Sequence, residues 1–304
     1  MDASRSASLD TFAWPTPPQS ASAPQWNGRE FRLEQMKPSS VLSYTETDSH
    51  WSDDLTLLHE AEAGQGDHPI DVASRQLALR ALQDHLPEGA GVVLDVGCSS
   101  GFLLRDLRRS LVGVSLIGSD YIAGPLHRLA QTLPGVPLLQ FDLRNSPLPD
   151  ACIDGVVCLN VLEHIDQDEQ AIREIHRMLK PGGIAHIEVP SGPKCYDIYD
   201  EYLMHHRRYT MSELTFKVRA AGFKVLNRTH LGALVYPAFY LTKRRNRRWL
   251  KQEPEVKAAR VKAMMRQTRS SPLVGLAMRL EMILGRLISF PAGIRCVLTL
   301  EKTG

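Results

Sequence analysis

Between residues 70 and 230, short apolar runs rich in Val, Ile and Leu alternate with longer stretches whose apolar positions recur at helical spacing. The short runs suit strands buried on both faces, and the longer stretches suit amphipathic helices. Because strands that alternate with helices form parallel sheets, the pattern predicts an α/β fold. The predicted strands cover 92–96, 114–119, 138–141, 155–159, 184–189, 223–229 and 294–300, and the predicted helices cover 71–86, a segment from 101, 124–133, 168–180 and 211–221.

This pattern divides the chain into four segments. Residues 1–50 are rich in Pro, Ser, Ala and Gln, and bury too little apolar surface to offset their ordering entropy. We therefore predict a largely disordered arm, in which Trp14, Trp26 and Phe31 are the side chains able to dock. Residues 51–230 form the predicted core and 294–304 its final strand. The segment at 231–293 is predicted to be a helical, basic insertion.

Charge is unevenly distributed along the chain. The 36 Lys and Arg residues nearly balance the 34 Asp and Glu residues, yet residues 231–304 contain 15 basic and only 4 acidic side chains. This quarter is net +11, and the preceding residues are net −9. Such asymmetry indicates an anionic surface as a partner of the C-terminal quarter. No run reaches the roughly 18–20 apolar residues that span a bilayer, so no transmembrane segment is predicted.

The cysteines and the N-terminus point to a reducing compartment. There are 5 cysteines, an odd number, and none has C-x-x-C spacing. Neither a disulfide framework nor a zinc knuckle is indicated, and we predict no metal site. The N-terminal residues lack the apolar core of a signal peptide, so we expect a cytoplasmic protein.

A glycine-containing loop, Asp95-Val96-Gly97-Cys98-Ser99-Ser100-Gly101, follows the first predicted strand of the core and precedes a helix. Glycines let the backbone approach a ligand at the carboxyl edge of the sheet, where doubly wound folds bind cofactors. The loop lacks the G-x-G-x-x-G pattern of dinucleotide sites. An acidic residue before the first glycine instead suits a ligand with an ammonium group. Asp120, which ends the next strand, is placed to accept from ribose hydroxyls.

Five motifs together resemble those of the class I S-adenosylmethionine-dependent methyltransferases. They are residues 95–101, Asp120, Phe141-Asp142-Leu143, Asn160-Val161-Leu162-Glu163-His164-Ile165 and Leu179-Lys180-Pro181-Gly182-Gly183. The resemblance covers residues 70–230 and the last strand. It implies a Rossmann-like, mostly parallel seven-stranded sheet with helices on both faces and an antiparallel last strand. It also implies S-adenosyl-L-methionine as the cofactor.

The resemblance implies a role for each matching position. Asp95 and the loop hold the methionine end of the cofactor, Asp120 holds the ribose, Asp142 and Leu143 hold the adenine, and Asn160 and Leu162 flank the sulfonium. Ser99 stands where the family most often has a glycine. Taken alone, the residues also allow Asp95 to cap a helix, Asp120 to be a turn residue and Cys98 to be a loop filler. The implied cofactor-binding residues are Asp95, Gly97, Cys98, Ser99, Gly101, Asp120, Tyr121, Asp142, Leu143, Asn160 and Leu162.

The loop after the predicted strand at 184–189 leaves the carboxyl edge of the sheet and overhangs the cofactor site. Its segment His205-His206-Arg207-Arg208-Tyr209-Thr210 resembles a methyltransferase subgroup that often serves surface-polysaccharide, lipid-linked sugar or natural-product pathways. We predict that His205 acts as a base or contacts the acceptor, and that the guanidinium of Arg207 or Arg208 binds an anionic group of the acceptor with two hydrogen bonds. Alternatively, Thr210 caps the next helix, the arginines face solvent and His164 shapes the pocket floor. The predicted catalytic residues are His205, His164, Arg208 and Tyr209.

The insertion combines cationic and apolar segments. Residues 243–248 place five cations in six positions, and an apolar stripe at helical spacing follows. This arrangement is typical of an interfacial segment on an anionic membrane. The alternatives are an acceptor lid or a homodimer interface, and nucleic acid is not favoured because no RNA-binding module is found. The stripe consists of Leu273, Leu276, Ala277, Leu280, Ile283, Leu284 and Leu287.

The sequence therefore predicts methyl transfer to a small-molecule acceptor of the sugar, lipid-linked or natural-product type, with O-methylation slightly favoured. The protein is expected in the cytoplasm, where its insertion could contact the membrane. One alternative is a catalytically inactive scaffold that binds the cofactor. Another is a nicotinamide-linked oxidoreductase, which the absence of G-x-G-x-x-G disfavours.

Overall fold

The computed structural model of the chain describes residues 9–34, 37–45, 68–86, 91–268 and 272–304. A short hairpin, β1 (Gln25–Trp26) and β2 (Phe31–Arg32), precedes a large sheet whose eight described strands have the spatial order β3-β6-β5-β4-β7-β8-β10-β9. These strands are β3 (Val41–Ser43), β4 (Gly91–Val96), β5 (Val114–Asp120), β6 (Leu138–Gln140), β7 (Ile153–Leu159), β8 (Leu179–Pro190), β9 (Phe223–Leu231) and β10 (Arg295–Lys302).

Strand pairing confirms the predicted mostly parallel sheet with an antiparallel last strand. All pairs from β3 to β8 are parallel, and β10 is antiparallel to both β8 and β9. The predicted count of seven strands is wrong by one, because Val41–Ser43 adds an edge strand beside β6. Consecutive parallel pairing brings the carboxyl ends of β4 to β8 to one edge of the sheet, where the candidate site lies.

Helices cover both faces of the sheet, and this explains why its central strand β4 is buried along its whole length. All six residues of β4 are buried. Val92 and Leu94 belong to one core cluster and Val93 to another, since successive side chains of a strand point to opposite faces. The helices of this body are α1 (Pro69–His85), α2 (Phe102–Ser110), α3 (Ala123–Thr132), α4 (Asp168–Met178), α5 (Ile198–Tyr202) and α6 (Met211–Ala220).

The prediction of a largely disordered arm is wrong for residues 9–34 and 37–45. Trp14, Trp26 and Phe31 are at most 5% exposed and belong to the main core. Both tryptophan rings meet Phe31 edge to face, with ring centroids 4.8 and 4.7 Å apart. Three aromatic side chains bury about 150–250 Å² each, so they anchor a segment whose average composition is polar. The predicted start of the core, at residue 51, lies outside the described residues.

Three helices form the insertion between β9 and β10: α7 (Tyr236–Asn246), α8 (Pro254–Thr268) and α9 (Pro272–Leu284). The buried Glu281 carboxylate of α9 accepts hydrogen bonds from the backbone N–H groups of Gly232, at 2.6 Å, and Leu234, at 3.0 Å. This fixes α9 against the end of β9. In the part of the chain that the structure describes, no helix has the length and apolarity needed to cross a bilayer.

The apolar stripe of α9 faces away from the body. Met278 and Met282 are the side chains that pack inward, at 2% and 8% exposed. The stripe therefore does not extend the hydrophobic core, and its exposure needs another explanation. Its most exposed members are Leu273, Leu276, Leu280, Ile283 and Leu287, at 47–85% exposed.

Gly101→Ala is expected to lower the free energy of unfolding by about 1–3 kcal/mol more than Gly182→Ala. Both glycines have a left-handed φ, +71° and +76°, so a Cβ adds similar backbone strain at either position. At Gly101, however, the Cβ would overlap the buried side chain of Leu129, while at Gly182 no described atom lies within 4 Å. Urea unfolding of the two variants measures the difference. Equal losses would contradict this account of the packing.

Candidate active site

The glycine-containing loop, residues 97–101, folds over the end of the neighbouring strand β5. The backbone N–H groups of Gly97 and Cys98 donate to Ser119 O at 2.8 and 2.9 Å. The N–H of Ser99 donates to Asp120 Oδ2 at 3.0 Å. These contacts fix the loop at the carboxyl edge of the sheet. Burial raises the pKa of the Cys98 thiol well above its usual range, so Cys98 is a neutral filler.

Backbone conformation explains the small residues of this loop. Gly97 has a φ of +73°, and a Cβ at this position would overlap Val161 in the loop that follows β7. Ser99 also lies in the left-handed region, with a φ of +44°, at the position where the resembled family most often has glycine. A left-handed conformation costs an L-residue about 1–2 kcal/mol. The loop thus keeps its conformation although one glycine is replaced by Ser.

Asp95 is a buried carboxyl group beneath this loop. Its side chain is 3% exposed, and Oδ2 has no hydrogen-bond partner among the described residues. Burial, and then the nearby charge of Asp120, raise its pKa well above the usual range. A buried carboxylate requires a compensating partner, and an ammonium group supplies both charge and donors. The loop thus fits the amino-acid end of S-adenosylmethionine.

Asp120 ends β5 and braces the loop on both sides. Its Oδ2 accepts from Ser99, and its Oδ1 accepts from the N–H of Ile122 at 3.0 Å. The ribose contact that the sequence predicts for Asp120 would thus be made by a carboxylate that also supports the loop. Tyr121 follows directly, and its carbonyl accepts from Gln140 Nε2 at 3.2 Å.

Asp142 is engaged in an ion pair that sequence reasoning missed. It caps the short helix Leu143–Asn145, and its Oδ2 lies 2.6 Å from Arg144 Nη2. Arg144 also reaches Asp166 Oδ1 at 2.8 Å. The neighbouring Leu143 is 5% exposed. An adenine contact by Asp142 would therefore be made by a carboxylate that Arg144 already orients.

The loop after β7 carries the remaining predicted cofactor residues. Asn160 has a left-handed φ of +54°, and its Nδ2 donates to Glu188 Oε1 at 3.1 Å. Leu162 is fully buried, and its carbonyl lies 3.1 Å from the Tyr209 hydroxyl. The loop is thus held between strand β8 and the acceptor segment.

Glu163, His164 and His205 come together beyond this loop. One ligating atom from each lies within 4.8 Å of the other two, and the two imidazole rings meet edge to face at 4.7 Å. The backbone N–H of His206 donates to Glu163 O at 2.8 Å and ties the two chain segments together. The structure thereby unites His164 and His205, which were predicted from separate motifs.

Asp200 orients His205. The Nδ1 of His205 lies 2.9 Å from Asp200 Oδ1, and both side chains are buried. Burial alone would raise the pKa of Asp200, but the hydrogen bond with His205 and the charges of Lys243 and Arg208 hold it well below its usual range. Burial lowers the pKa of His205, so its imidazole is neutral near pH 7 and can accept a proton or bind a ligand through Nε2.

Tyr209 and Arg208 are enclosed in the protein. Tyr209 is fully buried, and its hydroxyl lies 2.8 Å from Asp168 Oδ2. Burial, together with Asp168, raises its pKa far above the usual range, which makes it a poor proton carrier. Arg208 donates to Asp200 at 2.7 Å and to Ser191 O at 3.1 Å. Both side chains thus hold the segment together, and their catalytic role stays a prediction.

The remaining arginine of the segment is also paired. Arg207 Nη1 lies 2.9 Å from Asp168 Oδ1, and its Nη2 donates to Asp166 O at 2.6 Å. The Arg207 guanidinium, one of the two that we predicted to bind an anionic acceptor group, therefore pairs with a carboxylate of the protein itself. Thr210 accepts from the N–H of Glu213 at 3.2 Å, so the capping interpretation holds for that residue.

Residues 94–187 match the protein family described as methyltransferase domain. The range begins in β4, ends in β8, and includes the glycine-containing loop, Asp120 and the β7 loop. These residues thus form a methyltransferase domain, and the chain is similar to S-adenosylmethionine-dependent methyltransferases. The matched range thus includes every residue that is predicted to bind the cofactor.

Two named relatives show how far the sequence similarity of this chain extends. One is the Probable S-adenosylmethionine-dependent methyltransferase of Mycolicibacterium smegmatis, 32% identical over 138 residues, or 44% of this chain and 52% of the relative. The other is the ubiquinone biosynthesis O-methyltransferase of Acinetobacter baylyi, 26% identical over 175 residues, or 51% and 73% of the two chains. The first of these matches spans only about half the length of the relative.

Solved structures show the same fold at low sequence identity. The methyltransferase in complex with the Trm112 methyltransferase activator of Haloferax volcanii aligns with a TM-score of 0.54 and 18% identity, over 84% of this chain and 100% of that one. Phosphoethanolamine N-methyltransferase 2 of Haemonchus contortus, in complex with S-adenosyl-L-methionine, aligns with a TM-score of 0.55 and 15% identity, over 84% and 59% of the two chains.

The protein also contains a buried cluster of charged and polar side chains that sequence reasoning missed, formed by Asp197, Asp200, Lys243 and Asn246. Lys243 Nζ lies 2.7 Å from Asp197 Oδ1 and 3.2 Å from Asp200 Oδ2, and Asn246 Nδ2 donates to Asp197 Oδ2 at 3.0 Å. The D-x-x-D spacing of the capping box at α5 was the available signal. Helix α7 is thus fixed against the residue that orients His205.

Proposed function

We propose that this protein transfers the methyl group of S-adenosylmethionine to a hydroxyl group of a small-molecule acceptor of the sugar, lipid-linked or natural-product type. The observation that carries the proposal is the position of His205, which Asp200 orients beside the β7 loop. That loop contacts the cofactor side through Val161 and Gly97. Donor and acceptor groups therefore meet at one edge of the sheet.

On the donor side, the proposed contacts follow the geometry of the buried carboxyl group and the loop above it. Asp95 would pair with the ammonium group, the backbone of residues 97–101 would line the methionine moiety, and Asp120 would accept from the ribose. Asp142 and Leu143 would contact the adenine. Asn160 and Leu162 would border the sulfonium from the β7 loop, where hydrogen bonds to Glu188 and Tyr209 hold them.

On the acceptor side, the chain must align the nucleophilic atom and exclude water. Bound S-adenosylmethionine supplies an electrophilic methyl group, and in-line alignment with the acceptor provides much of the rate enhancement. A hydroxyl acceptor also has to lose its proton. His205 is neutral near pH 7 and buried, and so is suited to activate the hydroxyl, with His164 against its ring. This requirement supports O-methylation, as does the named O-methyltransferase relative.

The experiment follows labelled methyl transfer from S-adenosylmethionine to a panel of acceptors: saccharides, lipid-linked saccharides and phenols, each with a matched compound that lacks the reacting hydroxyl. The proposal expects transfer to a hydroxyl compound and none to its matched control. Tight binding of S-adenosylhomocysteine without transfer to any hydroxyl would support a cofactor-binding scaffold. Transfer only to amines would contradict the O-methylation.

The insertion supports a proposal about a partner. Lys243 and Asn246 fix one face of α7 to the acceptor segment, which leaves Arg244, Arg245 and Arg248 exposed. We propose that these cations and the exposed apolar stripe of α9 meet an anionic membrane surface. A cation near such a surface contributes about 1 kcal/mol, and exposed Leu and Ile side chains add burial in the headgroup region.

Changing Arg244, Arg245 and Arg248 to Ser is expected to reduce sedimentation with anionic vesicles at low salt, and wild-type binding is expected to fall at high salt. The Debye length shrinks from about 10 Å at 0.1 M salt to about 3 Å at 1 M. A matched control changes Val112 and Phe216, two exposed apolar residues outside the insertion, to Ser. Equal recovery of the wild type and the arginine variant in the supernatant would contradict membrane contact.

A further inference from the structure

Glu163 is the most unusual ionisable group of the acceptor side. Its side chain is completely buried, and neither Oε1 nor Oε2 has a hydrogen-bond partner within the described part of the chain. An ionised carboxylate in such a position is strongly disfavoured unless it pairs with a charge or coordinates a metal. Glu163 has no role in the proposed methyl transfer.

The surroundings of Glu163 offer nitrogen ligands. His164 and His205 each place a ring nitrogen so that the three ligating atoms lie within 4.8 Å of one another. Two imidazoles and one carboxylate form a common ligand set of catalytic zinc and non-haem iron sites. A cation with ligand distances of about 2.0–2.2 Å keeps its ligands within about 4.4 Å, so small side-chain rotations would close the set.

The hydrogen bond between His205 and Asp200 resembles the outer shell of a metal site. A metal-ligating histidine usually donates its second ring N–H to a carboxylate, which fixes the tautomer and directs the other nitrogen to the metal. Here the Nδ1 of His205 lies 2.9 Å from Asp200 Oδ1. Arg208 and Lys243 in turn donate hydrogen bonds to Asp200. Nε2 is the nitrogen left to bind a ligand.

We propose that Glu163, His164 and His205 bind one divalent cation of the zinc type, and that this cation binds the acceptor hydroxyl. The inference rests on the proposed methyl transfer but gives His205 a different role: His205 binds the cation through Nε2, and the cation activates the acceptor hydroxyl in place of direct proton transfer to His205. It also differs from the sequence analysis, in which the cysteine spacing predicted no metal site. The three ligands come from two distant segments, and the contact between His206 N and Glu163 O brings them together.

The step that this site assists is balanced without a further reactant. The cation would withdraw electron density from the acceptor oxygen and lower the pKa of the acceptor hydroxyl. The hydroxyl proton would then pass to water. The oxygen lone pair then forms the new C–O bond as the bond between sulfur and the methyl carbon breaks. The electron pair of that bond stays on sulfur, so the positively charged sulfonium becomes a neutral thioether.

The test measures metal binding directly. The full chain is stripped of metal with a chelator, and binding of Zn²⁺ and of Co²⁺ is measured by equilibrium dialysis, with the Co²⁺ absorption spectrum as a report on its ligands. The variants are Glu163→Gln, which keeps the side-chain shape, and His205→Ala. His127→Ala, at an exposed histidine on α3, is the matched control. Affinity for S-adenosylhomocysteine is measured for every variant as a check of folding.

The proposal expects one ion per chain in the wild type and in His127→Ala. It expects a loss of at least about tenfold in affinity in the other two variants, with affinity for S-adenosylhomocysteine kept within a few-fold. No ion in the wild type, or equal affinity in Glu163→Gln, would overturn it. Glu163 would then be a neutral acid, since burial raises its pKa to about 8. Failure of the wild type to bind S-adenosylhomocysteine would instead count against the proposed methyl transfer.

Discussion

His205→Ala is expected to slow methyl transfer to the acceptor by about 10²- to 10⁴-fold. The variant removes the group that activates the acceptor, while the proposed cofactor contacts remain, because they lie on β4 and β5 and in the loops that follow β4, β5, β6 and β7. Affinity for S-adenosylhomocysteine should therefore change by no more than a factor of a few. Single-turnover rates with labelled S-adenosylmethionine, together with calorimetry, separate the two effects.

His206→Ala is the matched control for this prediction. His206 is the exposed neighbour of the buried His205, so its removal should leave the rate nearly unchanged. If His205→Ala keeps the wild-type rate with an acceptor that the wild type methylates, proximity alone drives the reaction and His205 is structural.

Asp120→Ala is expected to weaken binding of S-adenosylhomocysteine by about 1.5–3 kcal/mol, which is about 10- to 150-fold. The variant removes charge-assisted hydrogen bonds to the ribose. It also removes the hydrogen bond that the N–H of Ser99 donates to Asp120 Oδ2 at 3.0 Å, so the loop loses part of its support. Titration calorimetry at matched ionic strength gives the difference.

Two further variants separate these causes. Asp120→Asn keeps a neutral acceptor for the backbone and should lose less affinity than Asp120→Ala. Asp106→Ala breaks an ion pair with Arg75, 2.7 Å apart, on helices α1 and α2 and should leave the affinity unchanged. Wild-type affinity in Asp120→Ala would mean that other groups hold the ribose.

The core of the fold could be predicted because its signals are local. Each strand from β4 to β8 contains a short run of mostly apolar, buried residues, and the apolar residues of the helices between them recur at helical spacing. The strand Val41–Ser43 was missed because three residues carry no periodicity, and it forms only through pairing with β6. The packed N-terminal segment was missed for a related reason, since its burial depends on a few aromatic residues that meet at Phe31.

The cofactor side of the candidate site could be predicted from the sequence more fully than the acceptor side. The cofactor side consists of short motifs at strand ends, so sequence and topology place them together. On the acceptor side, sequence showed which residues carry chemistry but not their partners. Arg208 and Tyr209 were predicted to be catalytic, and the sequence did not show that they form hydrogen bonds with Asp200 and Asp168. Such pairings join residues that are distant in sequence, and spacing does not encode them.

Titration of the full chain with S-adenosylhomocysteine, S-adenosylmethionine and a nicotinamide dinucleotide tests the central claim most directly. The acidic glycine-containing loop and Asp120 predict one site per chain with micromolar affinity for both sulfur ligands, and no measurable heat with the dinucleotide. Absence of heat with both sulfur ligands, in a chain shown to be folded by its unfolding transition, would contradict the account.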